Sequence, residues 1–402
     1  MGNLQKQLGV LMLVNDVMIG FKKYLLLPML ATLGFSVVSH AAVLPEDRAD
    51  MMYHSYDGGG VTIDGPSVLV RKSFLDKFSV SANYYVDNIS GASIDVEILA
   101  SEYKEERTEY SLGLDYLYNK TIMGVGYTNS AENDYDANTV YGSISQDFFG
   151  DLSNVSISYS YGKDEISKTD DEGFDTKDAS HRKFIVSLSQ VLSKSWLMNI
   201  SLQTDVDEGF LNNPYREYSF LEANGITRGY NPEVYPETRT SDAAAIRFKH
   251  FLPYRAALGF EYRKYSDSWE IDAWNFDINY THPWGEHWIF DIHHRWYSQG
   301  KAEFYSDLFA TGDTQNFKAR DKELSTFRST TLGVGVSYEH EPQNWGFVEK
   351  VAVTLLYDRI DIQYDDFLDA RENTIAKTAN AGEESKYSIE ADVIRFFFTI
   401  LY

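Results

Sequence analysis

The last eleven residues of the chain, Asp392 to Tyr402, follow a period of two up to the final residue. Every second position from the terminus backwards is apolar: Tyr402, Ile400, Phe398, Phe396 and Ile394. A period of two places these side chains on one face of a β-strand. A terminal strand with a wholly apolar face is explained if that face meets lipid. This constrains the fold more than any other feature of the chain.

A terminal strand of this kind resembles the signature that outer-membrane barrel proteins of Gram-negative bacteria present to their assembly machinery. The resemblance implies that Phe396, Phe398, Ile400 and Tyr402 form an assembly signal. It also implies an outer-membrane location and the barrel assembly machinery as a partner.

The composition excludes several classes of protein. The 402 residues carry a net charge of −24, contain no cysteine and are 15% aromatic. Without cysteine there is no disulfide framework, thiolate metal site or thiol nucleophile. An acidic chain without a basic run is a poor nucleic-acid binder, because counterion release needs clustered Lys and Arg. The many aromatic rings suit a membrane interface.

The N-terminal region has the pattern of an export signal. Lys22 and Lys23 precede an apolar stretch over residues 24–38, and Ser39-His40-Ala41 supplies a small-x-small cleavage site. We expect residues 1–41 to be removed and residues 42–402 to form one barrel domain. Because a signal peptide would normally begin at Met18, residues 1–17 are a candidate misassigned start.

Segments that alternate with a period of two recur throughout the rest of the chain. They cover residues 78–86, 110–118, 155–161, 196–202, 274–280, 288–292 and 332–338. With their flanking residues, each is about the length that a tilted strand needs to cross a bilayer. If the mature chain lies in a membrane, it must span as a closed barrel, since lipid leaves unpaired backbone groups unsatisfied.

The segments are joined by two alternating kinds of connection. Short connections are predicted at residues 73–77, 119–120, 150–153, 193–195, 252–255, 283–287 and 342–346. Longer, largely acidic loops are predicted at residues 89–107, 164–181, 208–239, 300–324 and 365–386. Bacterial barrels have short periplasmic turns and long extracellular loops. Counting back from the terminus requires a first strand at residues 49–56. The prediction is therefore an all-β, transmembrane antiparallel barrel of about 16 strands, with 12 as the lower bound.

Aromatic residues flank the predicted short turns. They are Phe74, Phe78, Tyr118, Phe148, Phe149, Trp196, Phe251, Tyr254, Trp284, Trp288, Trp345 and Phe347. Turns at one height around a barrel would make these rings a girdle at one membrane interface. A soluble β-sandwich also has alternating strands and an aromatic core. Rings that gather at turns, rather than in the middle of strands, favour the membrane.

A resemblance to a known family lies in the segment MMYHSYDGGGV, from Met51 to Val61, and its continuation DGPSVLVRK, from Asp64 to Lys72. This region resembles the opening of an uncharacterised Gram-negative family, the domain of unknown function 3570. The resemblance implies an outer-membrane protein and is expected to extend over the whole mature chain. It brings no known activity and no catalytic residues.

If the apolar stripes face lipid, the alternate residues line the lumen. The candidate lining residues are Asp115, Asp205, Arg247, Lys249, Glu261, Arg263, Asp277, Asp291, His293, Arg295, Asp358 and Arg395. Charges of both signs at a pore wall could orient and filter solutes. Alternatively, they pair into a structural network within the wall.

Three other features of the sequence can be interpreted either as structural or as functional. Gly58-Gly59-Gly60 is either a backbone nest for an anion or a turn that requires positive φ, and the turn is favoured. His293 and His294 point to opposite faces of a strand, which disfavours a shared metal ion. The acidic residues of the 164–178 region could gather divalent cations but lack the EF-hand spacing. We therefore expect no metal site and no cofactor beyond cations held loosely at acidic loops.

We expect the protein to be a pore for a small solute and not an enzyme. The chain contains no G-x-S-x-G, H-E-x-x-H or P-loop motif, although a barrel hydrolase could lack a linear motif. The loop at residues 208–239 is the predicted constriction, because its Asn-Pro and Tyr-Pro pairs suggest a shaped loop. The alternatives are a non-conducting barrel that scaffolds or inserts a periplasmic or surface partner, and a surface hydrolase. Outer-membrane lipid and lipopolysaccharide are the other expected partners, and no nucleic acid is expected.

Overall fold

The computed structural model describes residues 43–402, except residues 92, 100–102, 170, 172, 313 and 314. The predicted signal peptide, including the candidate misassigned start at residues 1–17, lies outside the described residues.

The described chain forms a closed antiparallel barrel of 16 strands, which confirms the predicted fold class. Its strands are β1 (Arg48–Gly58), β2 (Val61–Phe74), β3 (Phe78–Gly91), β4 (Tyr103–Tyr118), β5 (Thr121–Ala131), β6 (Tyr135–Phe148), β7 (Ser153–Ile166), β8 (Lys177–Ser193), β9 (Trp196–Gly209), β12 (Thr238–Phe251), β13 (Ala257–Asp267), β14 (Asp272–Trp284), β15 (Trp288–Gln299), β16 (Phe327–His340), β17 (Lys350–Leu368) and β18 (Lys386–Leu401). A separate hairpin, β10 (Glu217–Leu221) and β11 (Arg228–Pro232), lies within the loop between β9 and β12.

The barrel closes between its first and last strands. β1 pairs with β18 over its whole length, from Arg48 opposite Leu401 to Gly58 opposite Ala391. Every other neighbouring pair around the barrel is also antiparallel and consecutive in sequence, apart from the inserted hairpin. Closure leaves no unpaired sheet edge, which is what a strand-based membrane span requires.

The seven predicted short connections all lie at one end of the barrel, which we call the short-turn end. The five predicted long loops lie at the other end, the long-loop end, but the flanking strands extend further into them than expected. The loops occupy residues 92–102, 167–176, 210–237, 300–326 and 369–385. The antiparallel pairing continues there without a register shift, as far as Gly91 opposite Tyr103 and Ile166 opposite Lys177.

The expected strict alternation of short and long connections is wrong at the long-loop end. Tight connections also occur there after β1, β5 and β13. The first is the predicted glycine turn, where Gly59 has φ +61° and Gly60 has φ +80°, a region that favours glycine. The third is held by the Asp267 carboxylate, which accepts hydrogen bonds from the backbone N–H groups of Trp269 and Ile271.

The outer surface of the barrel is apolar. Alternate residues along the strands are exposed, as in Ile394 and Phe396 of β18, while their neighbours Val393 and Arg395 are buried. Exposed rings near the short turns include Phe74, Tyr118, Phe149, Tyr254, Trp284, Trp288, Trp345 and Phe347. This pattern matches the outward apolar band and aromatic girdle of transmembrane barrels.

The main apolar core lies inside the long-loop end of the barrel. Wall residues such as Tyr135, Ile166, Ile360 and Phe367 pack there with loop residues, and the loop residues include Leu211, Tyr235, Phe304 and Leu324. Two short helices, α1 (Ile94–Leu99) and α2 (Arg371–Thr374), lie in loops at the same end. Among the described residues, no helix is long and apolar enough to cross a membrane.

Candidate functional site: the lumen wall and its loop cap

All twelve predicted lining residues lie on the face of the wall opposite the exposed apolar side chains. On β13, Glu261 and Arg263 alternate with the exposed ring of Tyr262, and on β17 the buried Asp358 follows the exposed Tyr357. The same alternation places the predicted residues of β4, β9, β12, β14, β15 and β18 inside. Their orientation follows from strand period alone.

One row of these charges crosses four neighbouring strands. Arg247, Glu261, Asp277 and Arg295 are successive register partners on β12, β13, β14 and β15. Arg247 donates a hydrogen bond to Glu261, and Arg295 Nε donates to Asp277 over 3.4 Å. The row is therefore largely neutralised within the wall, as the structural-network alternative expects.

A second group joins β15, β17 and β18. Asp358 binds Arg395, and its other oxygen lies 3.2 Å from His293 Nε2. The His293 ring lies across Gly333, where an added Cβ would be 2.0 Å from the ring. His294, as predicted, points outward and stacks edge-on against Trp296.

The remaining predicted residues are less completely paired. Asp115 binds Arg71 at 2.7 Å, and Asp205 accepts a hydrogen bond from Gln203 at 2.6 Å. Asp291 accepts one from Thr281 at 2.6 Å. Lys249 and Arg263 make no hydrogen bond or ion pair with the described residues.

Sequence reasoning missed two buried polar clusters of the inner wall. In the first, Asp87 binds both His54 at 2.8 Å and Arg107 at 2.5 Å, while His54 stacks on Tyr85. Alternation in β3 and β4 could have identified Tyr85, Asp87 and Arg107, because they lie on or continue the inward face of the segments at 78–86 and 110–118.

The second missed cluster corrects the predicted acidic loop at 164–178. Asp164 belongs to β7 and points inward, where its carboxylate lies 2.8 Å from His181 and accepts a hydrogen bond from Tyr135. His181 also binds Asp207 at 2.8 Å. A carboxylate paired in this way is not available to a solvated cation-gathering loop. Asp170 and Glu172 lie outside the described residues.

Three loops fold over the long-loop end and join one another. We call this unit, residues 210–237, 300–326 and 369–385, the loop cap. Val234 and Lys318 exchange backbone hydrogen bonds of 3.0 and 2.9 Å, and Leu221 and Phe309 are joined by a further backbone bond of 2.8 Å. The predicted constriction loop is thus the central member of the cap.

The cap is held together by a buried guanidinium. Arg228 of β11 binds Asp307 at 2.6 Å and Glu384 at 2.6 and 3.0 Å, so that it links all three loops. Its side chain is fully buried. Arg320 also binds Asp307, at 3.1 Å, and donates to the backbone carbonyl of Leu368 at the top of β17.

A second polar centre of the cap lies around Glu233. Its carboxylate accepts hydrogen bonds from the backbone N–H of Arg320 at 2.6 Å and from the Tyr235 hydroxyl at 2.7 Å. Burial, together with the nearby charge of Asp321, raises the pKa of Glu233 to about 7. Burial also raises the pKa of Tyr235 well above its ordinary value.

One group of acidic side chains has the spacing of a metal site. Glu105, Glu132 and Asp134 each offer a carboxylate oxygen within 4.8 Å of the others, at the tight connection between β5 and β6. Burial and the charge of Glu105 raise the pKa of Glu132 to about 8. The positive charge of the nearby Arg107 already acts on Glu132. We therefore assign no metal ion to these three carboxylates.

This geometry can bind and orient polar solutes. The wall holds fixed charges of both signs at several depths, and the cap brings a further layer of charged side chains over them.

The protein-family comparison matches residues 97–348 to a family model described as "Protein of unknown function (DUF3570)". That is more than half of the chain. The chain belongs to the DUF3570 family. The match is shorter than the predicted whole mature chain, and the opening segment at residues 51–72 lies outside it. No curated protein matches the chain in sequence.

Solved structures similar to this DUF3570 chain are outer-membrane barrels. A "Bacterial polysaccharide outer membrane secretin" gives a TM-score of 0.47 at 9% identity, covering 89% of this chain and 99% of that one. A Pseudomonas aeruginosa FadL homologue gives 0.41 at 9% identity, covering 90% and 91%. Pseudomonas aeruginosa OccK1 (OpdK) gives 0.42 at 8% identity, covering 88% and 98%.

Proposed function

We propose that the protein is an outer-membrane channel for a small polar solute, gated by the loop cap. The proposal rests on the observation that the wall and the cover of the barrel are two separate parts. Strands supply a wall with fixed charges, and a separate unit made of loops covers one end of it. A barrel of about sixteen strands is wide enough to need loops or solutes to fill it.

The cap has the properties expected of a gate. Its three loops meet through side-chain ion pairs and a few backbone bonds, rather than through the continuous ladder that holds the wall. Segments held in this way open at a lower free energy than the strands beneath them. Parting residues 210–237 from residues 300–326 would expose the charged wall to solutes.

A reversible disulfide crosslink between two loops of the cap tests this proposal directly. Val234 and Lys318 are hydrogen-bonded antiparallel partners, a geometry whose Cα separation of about 5.5 Å suits a disulfide. Because the chain has no cysteine, Val234→Cys with Lys318→Cys would form a single defined crosslink. In planar bilayers, we expect current from the reduced double variant, loss of that current on oxidation, and its return on reduction.

The control places an equal crosslink in the wall. The hydroxyls of Ser337 and Thr354 lie 2.8 Å apart on paired strands, so Ser337→Cys with Thr354→Cys would crosslink without touching the cap. Oxidation of this control should leave the current unchanged. Equal currents from the oxidised and reduced cap variant would contradict gating by these loops. Silence of every variant, with a co-purifying partner, would support the scaffold alternative.

Location and partners belong to the same proposal. The apolar outer face supports placement in a Gram-negative outer membrane, with lipid and lipopolysaccharide around it and the barrel assembly machinery acting on the terminal strand. We infer no enzymatic activity. Lipid or peptide cleavage by the purified barrel that disappears in His293→Ala would overturn that inference.

A further inference from the structure

The inward faces of β12 and β13 carry an excess of positive charge. They hold four basic residues against two acidic ones: Arg239, Arg247, Lys249 and Arg263 against Glu261 and Asp267. Among the bases, Arg263 forms no hydrogen bond or ion pair with the described residues. Its side chain is partly exposed, and its nitrogen atoms are accessible to solvent rather than buried. Because Arg263 points inward, its guanidinium is an accessible, unpaired charge of the lumen.

In the ion pairs of the inner wall between β8 and β18, the basic side chain is more exposed than the acidic one. The Arg247 side chain is 30% exposed and that of its partner Glu261 is 14% exposed. The same order holds in Lys183–Asp205, Arg239–Asp267, Arg295–Asp277, Arg395–Asp358 and Lys350–Glu339. Long basic side chains carry their charge away from the wall. The surface that this part of the wall presents to the lumen is therefore positive, whereas across the barrel Asp115 is more exposed than Arg71.

The lumen is open to solvent beside these charges. Lys183 points inward from β8, and 33% of its side chain is exposed. The register partners of Arg263 are Ala245 on β12 and Asn275 on β14, so no charge lies directly opposite it on either neighbouring strand. The charge of Arg263 acts on Asp205 of β9, which also lies 4.0 Å from the Lys183 ammonium group. Two bases thus share one acid, and the guanidinium keeps hydrogen-bond donors for a solute.

We propose that the channel admits small anions in preference to cations, and that Arg263 binds them in the lumen. A planar guanidinium can donate two parallel hydrogen bonds to a carboxylate, so small carboxylates are the favoured solutes. Lys183 and Arg247 add positive potential beside it, as basic side chains do in pores that pass anions. This inference rests on the proposed channel function, whose solute class it names.

The composition of the chain predicts the opposite selectivity. The net charge is −24, so a lumen that reflected the whole protein would favour cations. Exposed acids such as Glu222, Glu303 and Glu383 lie in the loop cap rather than on the inner wall. Charges in contact with water are screened over about 10 Å at 0.1 M salt. An ion in the lumen therefore responds mainly to the nearest residues of the wall.

Reversal potentials in planar bilayers measure the preference. With a gradient of potassium chloride across the bilayer, we expect chloride to be more permeant than potassium. Arg263→Gln should lower the chloride-to-potassium permeability ratio about fivefold, which is the effect of one unit charge at about 4 Å in water. Asp205→Asn should raise the ratio, because it removes the acid that the two bases share. A gain of this kind cannot arise from a damaged barrel.

The matched control is Arg359→Gln. It removes the same charge from the outer side of the wall, where Arg359 is paired with Glu390 and Asp392, so the permeability ratio should not change. A preference for potassium in the unchanged protein would overturn the inference. Equal shifts of the ratio in the two arginine variants would overturn it as well.

Chemical labelling of arginine tests the contact without any current. Phenylglyoxal reacts with accessible guanidinium groups, and mass spectrometry of the full barrel labelled in detergent reports the extent of reaction at each arginine. Propionate should slow the labelling of Arg263, and propylamine, which has the same carbon number, should not. Arg359 in the same sample should react equally with and without propionate. If propionate leaves the labelling of Arg263 unchanged, its assignment as the anion-binding residue is wrong.

The two measurements separate this inference from the proposed function. A barrel that never conducts, but in which propionate protects Arg263 from labelling, would refute the channel and leave the anion contact standing. A conducting barrel that prefers potassium and shows no protection of Arg263 would refute only the inference.

Discussion

Arg228 and Glu384, 156 positions apart in the sequence, form a two-pronged ion pair with both side chains fully buried. Arg228 Nε lies 2.6 Å from Glu384 Oε1, and Nη2 lies 3.0 Å from Oε2. The guanidinium also binds Asp307, so it holds three loops at one point. Planar two-pronged pairs of this kind fix geometry as well as charge.

Replacing Arg228 by methionine should loosen the cap and leave the barrel intact. Asp307 and Glu384 would remain buried without their main partner, which typically costs about 3–5 kcal/mol. We expect residues 210–237 and 369–385 to exchange amide hydrogens faster and to be cut more readily by protease. Open-channel events in planar bilayers should become more frequent.

The control for this prediction is Arg359→Met on the outer side of the wall. Arg359 also binds two acids, Glu390 and Asp392, but its side chain is 43% exposed. Exposed ion pairs contribute little, so hydrogen exchange in the cap should not change. Equal exchange in both variants would contradict the role given to Arg228.

Cap stability should fall as the pH rises through neutrality. The pKa of Glu233 is raised from 4.5 to about 7 in the folded cap, so the folded state holds a proton that the unfolded loop releases. Its stabilising contribution is therefore complete below about pH 4.5 and is lost as the pH passes 7. The raised pKa of Glu132, at about 8, acts in the same direction at its own connection.

Hydrogen exchange at the Val234 and Lys318 amides measures this dependence, after correction for the intrinsic effect of pH. Protection should be greater at pH 5 than at pH 8. Glu233→Gln should flatten the difference, because glutamine does not titrate. If protection in Glu233→Gln still falls between pH 5 and pH 8, another group causes the pH dependence.

The inward and outward faces of the terminal strand should tolerate charge differently. Phe396→Lys places an ammonium group in the lipid band, at a cost of about 2–4 kcal/mol near the midplane. Phe397→Lys places the same group on the inner face. We expect a much lower yield of folded, heat-modifiable barrel for the first variant than for the second. Similar yields would contradict the assignment of faces.

A bulky residue inside the wall should narrow the channel. Arg263→Trp adds a ring on the inner face of β13, whereas Tyr262→Trp changes the neighbouring outward position. Single-channel conductance should fall by about half or more in the first variant and stay unchanged in the second. If neither substitution changes the conductance, the permeation path does not pass along the inner face of β13.

The architecture could be predicted because its signals are local. Alternation along each strand assigned residues such as Glu261 and Tyr262 to opposite faces, and the parity of the connections required an even number of strands. The short turns after β5 and β13 were missed because Asn133-Asp134 and Ser268-Trp269 do not stand out within polar and aromatic surroundings. Asp164 was placed in a loop because its partner His181 lies on another strand.

The sequence by itself determined that the chain would close into a membrane barrel and which residues would face inward. That follows from a strand period of two and from the lack of water in a bilayer, both of which act on neighbouring residues. Only the tertiary structure decided which inward charges meet and that three loops form a cap around Arg228. Those contacts join positions up to 156 residues apart, and their distances depend on register, barrel closure and loop packing rather than on any local pattern.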